Sequence, residues 1–559
     1  MLRAAPVLII LLLIGPIMVG LLMVLLPAFG YLPALNATEF TLTHWQELFA
    51  VPGLVRSLGI SLVAGLLTPI LALSLVFLYL ATASESWLDR WIRRLVSPLL
   101  AVPHAAAAFG LAFLIAPSGL LSRLFSPWMT GWQRPPDLLI INDTYGISLM
   151  LGLVVKEIPF LLLMALAALP QLDVQRRVAM ARSLGYRPGL AWMKTVAPAL
   201  YPLLRLPVFA VIVFASSTVD VAIILGPSLP GTLSVMVLGW FSDPDLAHRF
   251  LAAAGALLQL GLSLTAILIW MLLEAVARRY NTHWLESGQR HHGEKMIWLL
   301  GRGGVSLATI LTAGSLLSLL MNAFAGFWRF PASFPDSLVL RHWLSALPSL
   351  GQPLLNTVII SLVATVLALA LVLAALENEH RHHLKTRSSI WFLYLPLLVP
   401  QLAFLFGLVV FTESLQWQPG LPLVIFAHLI FVLPYVFLTL SEAYRRLDPR
   451  WSQLAATLGA SPNRSFWRIR LPMLLSAWLT AAAIGAAISI SQFLPTQLLG
   501  AGRVPTITTE AVALASGGNR NIISVWAMVQ ALLPMLGFML ALSVPRFLWR
   551  NRQTMRYLH

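Results

Sequence analysis

Apolar runs of about 20 residues recur along the whole chain and constrain its fold more than any other feature. A helix needs about 20 mostly apolar residues to cross a bilayer, and a bilayer leaves no backbone polar group to water. Of the 559 residues, 58% are hydrophobic and only 10% are charged, against about 25% charged in an average soluble domain. The sequence therefore predicts an all-α polytopic membrane protein. The twelve predicted spans lie at 6–28, 55–80, 95–116, 146–169, 201–226, 248–275, 297–322, 355–376, 391–412, 421–442, 474–498 and 522–545.

The first apolar run, 6–28, has to be distinguished from a signal peptide. The apolar part of a signal peptide usually has about 7–15 residues. This run is longer and many further runs follow it, so we predict a retained membrane helix.

The positions of the basic residues predict the orientation. Lys and Arg collect in cytoplasmic loops. With the N-terminus inside, the inside segments hold 26 of the 37 Lys and Arg, so both termini are predicted to be cytoplasmic. This accounts for most of the net charge of +16 without a nucleic-acid partner, and no basic-aromatic nucleic-acid module is visible. The inside segments are 1–5, 81–94, 171–200, 276–296, 377–390, 443–472 and 546–559, and the six basic residues of the outside loops are Arg123, Arg134, Arg329, Arg341, Arg503 and Arg520.

The chain also contains an internal repeat, which is visible as short matches in one order along both halves. The matches predict two domains of six spans each, 1–290 and 291–559, around a pseudo-two-fold axis along the membrane normal. The offset falls from about 300 to 274 residues because the first half has a longer outer loop near 117–145. The matching pairs are His44-Trp45 with His342-Trp343, 56–65 with 356–365, 97–115 with 394–411, and 183–188 with 457–462.

The inside loop between the fourth and fifth span has the same pattern in both halves. A glycine is followed three residues later by one proline and thirteen residues later by another. Glycine accepts the positive φ that ends a helix, and proline fits the first turn of the next. We therefore predict a helix, a sharp turn and a short helix in each loop. The residues are Gly185, Pro188 and Pro198 in 171–200, and Gly459, Pro462 and Pro472 in 443–472.

These two loops resemble the EAA loop of ABC importer permeases, whose motif is roughly E-A-A, three residues, G, nine residues, I-x-L-P. The family's glutamate is absent, since Ala179 and Gln453 stand in its place. The resemblance extends over nearly the whole chain and is closest to fused double-length permeases that import ferric iron and thiamine. It implies two tandem type I permease domains whose loops dock on ATPase subunits. The matching residues are Ala181, Gly185 and Pro198, then Ala455, Gly459, Ile469, Leu471 and Pro472.

The resemblance also implies partners. The chain has no phosphate-cradling G-x-x-x-x-G-K-[ST] motif, so separate ATPase subunits, one for each loop, are expected to bind ATP and Mg²⁺. A periplasmic substrate-binding protein and a place in the bacterial inner membrane, in contact with lipid, are implied as well. No nucleophile elbow or H-E-x-x-H motif is visible, and cysteine is absent. We therefore expect a subunit without catalytic residues, metal site or cofactor of its own.

Three ionisable residues at membrane depth are candidates for function, because such groups are costly there. Lys156 and Glu157 lie in the fourth span and Asp220 in the fifth. Neighbouring side chains on a helix diverge by about 100°, so Glu157 is able to meet a group on another helix. A buried structural ion pair or a water-facing edge is the alternative.

The fifth span and its equivalent carry polar residues at a helical spacing. Ser217 and Asp220 are three residues apart, as are Ser489 and Gln492, so each pair shares a helix face. In the family that the chain resembles, this span lines the translocation path, which predicts the same role here. Hydrogen bonding between helices is the alternative. The candidate path residues are thus Glu157, Ser217, Asp220, Ser489 and Gln492.

The remaining polar features favour structural roles. His104 and His428 lie singly on apolar spans, where a structural histidine is commoner than a ligand. The histidine-rich run 380–385 is predicted to be a solvated inside loop instead of a metal site. Trp45 and Trp343 fit anchors at the outer membrane interface.

A secondary transporter of the major facilitator type is the main alternative, since it also has six plus six spans. The segment 88–94 is similar to that family's D-R-x-G-R-R signature, but Trp91 and Ile92 replace its central part. That family also tends to place its long inside loop between the sixth and seventh spans. Here the structured loops follow the fourth and tenth spans, which favours the importer. An integral membrane enzyme is the third alternative, and the sequence leaves the substrate open.

Overall fold

The computed structural model describes residues 2–82, 87, 89–92, 101–290, 294–382 and 390–548. The start of the predicted third span, parts of 88–94 and of 380–385, and the end of the C-terminal segment lie outside them. In the first half the main helices are α1 (Ala5–Ala28), α2 (Leu54–Thr82), α3 (His104–Ile115), α4 (Ile147–Ala168), α5 (Val174–Ser183), α6 (Pro188–Thr195), α7 (Ala197–Ser217), α8 (Asp220–Leu225), α9 (Leu233–Phe241) and α10 (His248–Glu286). In the second half they are α11 (Glu294–Phe324), α12 (Arg341–Arg381), α13 (Ile390–Leu398), α14 (Gln401–Ser414), α15 (Leu421–Arg445), α16 (Arg450–Thr457), α17 (Pro462–Ser465), α18 (Leu475–Ile490), α19 (Leu494–Gly500), α20 (Ile507–Ala513) and α21 (Arg520–Leu548).

The described residues form an all-α membrane protein, as predicted. Ten helices among them are long and apolar enough to span a bilayer, and two bent pairs raise the number to twelve. One bent pair is α13 with α14, at 97°, and the other joins 462–473 to α18, at 73°. The ninth span, predicted as one helix over 391–412, is therefore sharply bent near Pro400.

The prediction of continuous helices over 201–226 and 474–498 was wrong, because both spans are broken. Helix α7 ends at Ser217 and α8 begins at Asp220. Helix α18 ends at Ile490 and α19 begins at Leu494. Polar side chains replace the missing helical bonds at these breaks: Ser234 Oγ donates to the Thr218 carbonyl, and Thr508 Oγ1 donates to the Ile490 carbonyl.

Each half exchanges its first span with the other half. Helix α1 packs mainly against α14 of the second half, and α11 packs mainly against α2 and α3 of the first. Backbones approach closely at both places. A Cβ on Gly407 of α14 would lie 1.8 Å from the Gly20 carbonyl oxygen, and one on Gly110 of α3 would lie 2.6 Å from the Ser315 carbonyl oxygen. The division at residue 290 stays a prediction from the sequence, and the contacts of α1 and α11 cross it.

Candidate functional site

The first of the two loops predicted to lie inside, 171–200, has the predicted helix–turn–helix form. Helix α5 is capped by Asp173, whose Oδ1 accepts from the Arg176 amide at 3.3 Å. The chain then turns at Gly185, which has a φ of +87°. The Tyr186 amide donates back to the Ala181 carbonyl at 3.3 Å, a bond typical of a glycine-terminated helix. Helix α6 then begins at Pro188, and Pro198 lies in the first turn of α7.

The second inside loop repeats this geometry. Helix α16 ends before Gly459, which has a φ of +77°, and the Ala460 amide donates to the Ala455 carbonyl at 2.9 Å. Helix α17 begins at Pro462, and the Ser461 hydroxyl caps it by accepting from the Arg464 amide. Pro472 lies in the short helix Leu471–Met473 before α18. The two alanines of the motif, Ala181 and Ala455, are both buried, and their carbonyl oxygens accept the hydrogen bonds that close the two equivalent turns.

Both loops present apolar side chains to the surface. Leu184 and Leu458, directly before the two glycines, are 61% and 80% exposed, and Met180 and Leu454, four residues earlier, are 62% and 54% exposed. These four positions correspond at the 274-residue offset of the repeat. Water-facing apolar side chains at matched positions are typical of an interaction surface.

The two loops are held by different contacts. In the first half, the Glu294 carboxylate accepts from the Gly189 and Leu190 amides at 3.0 and 3.4 Å. These hydrogen bonds fix α6 to the start of α11. In the second half, Arg470 Nη1 donates to Glu377 Oε2 at 2.8 Å, and the Tyr444 hydroxyl donates to the same carboxylate. These contacts fix the second loop to α12 and α15.

The structure places Lys156 and Glu157 in α4, where both are buried. Lys156 Nζ donates to the Val102 carbonyl within the first half. Glu157 lies close to Lys156 and also close to Tyr435 of α15, in the second half. Glu157 therefore lies beside the seam, the contact surface between the two halves.

The other candidate path residues lie at the two helix breaks. Ser217 Oγ donates to the Val213 carbonyl at 2.7 Å, and Asp220 Oδ1 accepts from Thr218 Oγ1 at 3.1 Å. Ser489 is 2% exposed and shares a hydrogen bond of 2.8 Å with His428 Nδ1. Gln492 lies in the break between α18 and α19 and is partly buried.

The histidines and tryptophans have packing partners. His428 bridges Ser489 and Thr496, with 2.8 Å at each ring nitrogen, and His104 packs on Phe214 with ring centroids 4.6 Å apart. Trp45 packs near Phe29 and Trp343 near Phe324, with centroid distances of 5.9 and 5.5 Å. Of the histidine-rich run, His380 contacts Arg470, and His382 Nε2 accepts from Arg3 at 3.3 Å.

Sequence reasoning missed a pair of helical hairpins that follow the breaks, α8 with α9 and α19 with α20. The second span of each half holds its hairpin: the Leu233 amide donates to Ser61 Oγ at 3.1 Å, and the Ile507 amide donates to Thr357 Oγ1 at 3.0 Å. Helix α8 of the first half contacts α20 of the second. The hairpins therefore meet between the halves, at the ends of α7 and α18 remote from the loops. The sequence carried a signal for them in the glycines and prolines of 226–231 and 500–505, which mark a turn inside each hairpin.

Comparisons with known proteins identify the family. The family described as binding-protein-dependent transport system inner membrane component matches residues 367–548. The inner membrane ABC transporter permease protein YnjC of Escherichia coli K12 is 33% identical over 524 residues, which cover 93% of this chain and 94% of YnjC. The thiamine transport system permease protein ThiP of Haemophilus influenzae is 23% identical over 419 residues, covering 74% of this chain and 73% of ThiP.

A shorter relative matches less of the chain. The spermidine/putrescine transport system permease protein PotC homolog of Mycoplasma genitalium is 24% identical over 212 residues, covering 36% of this chain and 72% of that protein. YnjC and ThiP, in contrast, match through both halves of the chain, and both are named as transport permeases. The chain belongs to the ABC transporter permeases and is the membrane-spanning permease subunit of an ABC importer.

Proposed function

We propose that this permease carries solute along a path between its two halves and is driven by two ATPase subunits, one docked on each inside loop. The observation that carries the proposal is the matched pair of helix–glycine–helix loops, with exposed apolar residues at equivalent positions on both. In this proposal both termini are cytoplasmic, ATP and Mg²⁺ bind to the partners, and the chain itself binds no cofactor and catalyses no reaction. A periplasmic binding protein delivers the solute to the hairpin side.

The geometry supports a direct route from each loop to its hairpin. Helix α7 begins directly after α6 of the first loop and ends at the break before α8. Its 21 residues span about 30 Å, roughly the thickness of the hydrocarbon core. A shift of the loop is thereby transmitted along a helix to the place where the hairpins meet. Movement of the two halves about this seam would open the path alternately to each side.

The path residues in this proposal are Glu157, Ser217, Asp220, Ser489 and Gln492. Glu157 is supported by its place at the seam close to Tyr435 of the other half, and Asp220 and Gln492 by their places at the helix breaks. The names of the relatives refer to thiamine in one case and to spermidine and putrescine in another. These solutes are the first to test in uptake assays.

Single cysteines test the path, because the chain has no cysteine of its own. We expect Asp220→Cys and Gln492→Cys to react with a water-soluble maleimide at different rates in the ATP-bound and nucleotide-free complex, since the hairpins separate in only one state. Leu229→Cys is the control, because Leu229 is already 89% exposed and should react equally in both. Equal rates at Asp220 and Gln492 in the two states would remove these residues from the path.

Charged substitutions test the docking surface. Leu184→Asp and Leu458→Asp should each weaken association with the ATPase subunit at least about tenfold, because burial of a leucine contributes about 1.5–3 kcal/mol and a buried unpaired carboxylate opposes association. The measurement is the amount of ATPase that co-purifies with the tagged permease in detergent. Leu229→Asp, an equally polar change on the hairpin side, should retain normal association. Normal association of both loop variants would contradict docking at these loops.

A further inference from the structure

Arg249 and Arg520 occupy equivalent positions in the two halves, at the start of the last span. Arg249 is the second residue of α10 and Arg520 is the first of α21. Each lies ten residues before a fully buried glutamine, Gln259 or Gln530. Gln259 Nε2 donates to the Ser216 carbonyl beside the break of its own half, and Gln530 Nε2 donates to Thr508 Oγ1 beside the other break. The two arginines are thus counterparts in the repeat.

Each arginine reaches across the seam to the end of the third span of the other half, but they meet different groups. Arg249 Nη1 lies 2.9 Å from Glu413 Oε2 of α14 and forms an ion pair. Arg520 Nη1 donates to the neutral Ser118 Oγ at 2.7 Å. Ala116 stands at the repeat position that corresponds to Glu413, at the same 297-residue offset as the aligned third spans. The contact that Arg249 makes with the other half therefore includes a carboxylate, and the equivalent contact of Arg520 does not.

A cavity of about 190 Å³ lies beside the contact between Arg520 and Ser118. Arg520 and Asn521 line it from the second half, and Ser118 and Arg123 line it from the first. Arg123 is only 9% exposed, and its guanidinium lies over the ring of Trp328, 4.5 Å from the centroid. Two arginine side chains therefore border the same small cavity from opposite halves.

The charges around the cavity are all of one sign. The two guanidinium groups are close enough to repel each other, and none of the described residues that line the cavity is acidic. Within the described part of the chain, neither Arg123 nor Arg520 has an ion pair. Three carbonyls accept from Arg123, but these fix its position without neutralising its charge. Buried charges are normally paired.

We propose that this cavity binds a soluble oxyanion, a carboxylate or a phosphate-type group, which gives Arg520 a negatively charged partner as Glu413 does for Arg249. Arg520 is its principal ligand, because the planar guanidinium fork matches such oxygens, and Arg123 adds a second positive charge. The bound anion would join the two halves on the hairpin side. This site does not depend on the proposed coupling to ATPase subunits.

The test is calorimetric titration of the full-length permease, without ATPase subunits, in zwitterionic nanodiscs. Inorganic phosphate and acetate are the probes, at constant ionic strength set with chloride. We expect one equivalent of at least one probe to bind saturably. Arg520→Gln should weaken that binding at least about tenfold, and Ser118→Asp should do the same because it places a carboxylate beside Arg520. Arg249→Gln is the matched control and should leave the affinity unchanged, because Arg249 is paired with Glu413 and does not line the cavity.

Two results would overturn the site. One is the absence of saturable binding of either probe to the wild-type protein. The other is equal weakening by Arg249→Gln and Arg520→Gln, which would indicate a general effect of surface charge. If Arg520→Gln fails to fold, Ser118→Asp decides, because Ser118 is partly exposed and its replacement keeps Arg520 in place.

Discussion

A valine at Gly407 is expected to prevent α1 from docking on the second half and to remove most of the folded permease from the membrane. A Cβ on Gly407 would lie 1.8 Å from the Gly20 carbonyl oxygen, and one on Gly20 would lie 2.1 Å from the Phe404 carbonyl oxygen. Membrane helices associate through such small residues, which let backbones touch. Overpacking usually costs about 1–3 kcal/mol, and here no flexible side chain is available to move. We therefore expect a loss of folded protein of at least about tenfold.

The measurement is the yield of monodisperse protein in detergent, with the thermal unfolding midpoint of what remains. Gly110→Val, at the equivalent position against α11, should have the same effect, because its Cβ would lie 2.6 Å from the Ser315 carbonyl oxygen. Gly261→Val in α10 is the matched control, since no atom lies within 4 Å of its added Cβ. A wild-type yield and midpoint for Gly407→Val would show that the exchange of first spans is not how the chain packs.

The exchange of first spans was not predictable from hydropathy. Lipid tails are as apolar as a neighbouring helix, so the composition of a span does not reveal which helix it meets. Gly20, Gly110 and Gly407 look like ordinary glycines in apolar runs, and only the distances show them as contacts. Hydropathy also continues through Thr218, so the sequence concealed the break in the fifth span even though it drew attention to Ser217 and Asp220 beside it.

The inside loops were predictable because their signals are local. A glycine that ends one helix and a proline that begins the next act within a few residues, and both loops have the expected form. The contacts that hold these loops in place were not predictable, because they join residues that are far apart in the sequence. Arg470 and Glu377 lie 93 residues apart, and Glu294 lies about 100 residues from the α6 amides that donate to it. The difference between Arg249 and Arg520 was hidden for the same reason, because it depends on partners in the other half.

The replacement Gly459→Val is expected to disrupt the second loop as the proposed docking site of an ATPase subunit, whereas Gly459→Asn is expected to be tolerated. Gly459 has a φ of +77°, which a β-branched residue adopts only under strain and asparagine adopts more readily. No atom lies within 4 Å of an added Cβ there, so the two variants differ in backbone strain and not in crowding. Strain of about 1–3 kcal/mol is enough to shift the turn out of its docking geometry in most molecules.

Two readouts separate coupling from folding. We expect Gly459→Val to reach the membrane in normal amounts but to retain less than about a tenth of the co-purifying ATPase. We also expect the nucleotide-dependent maleimide reaction at Asp220→Cys to disappear in the same background. Gly459→Asn should keep both, which would assign the effect to the left-handed turn. If valine and asparagine behave alike and both keep nucleotide-dependent labelling, the glycine turn has no part in coupling, and the exposed leucines beside it would lose their proposed role as well.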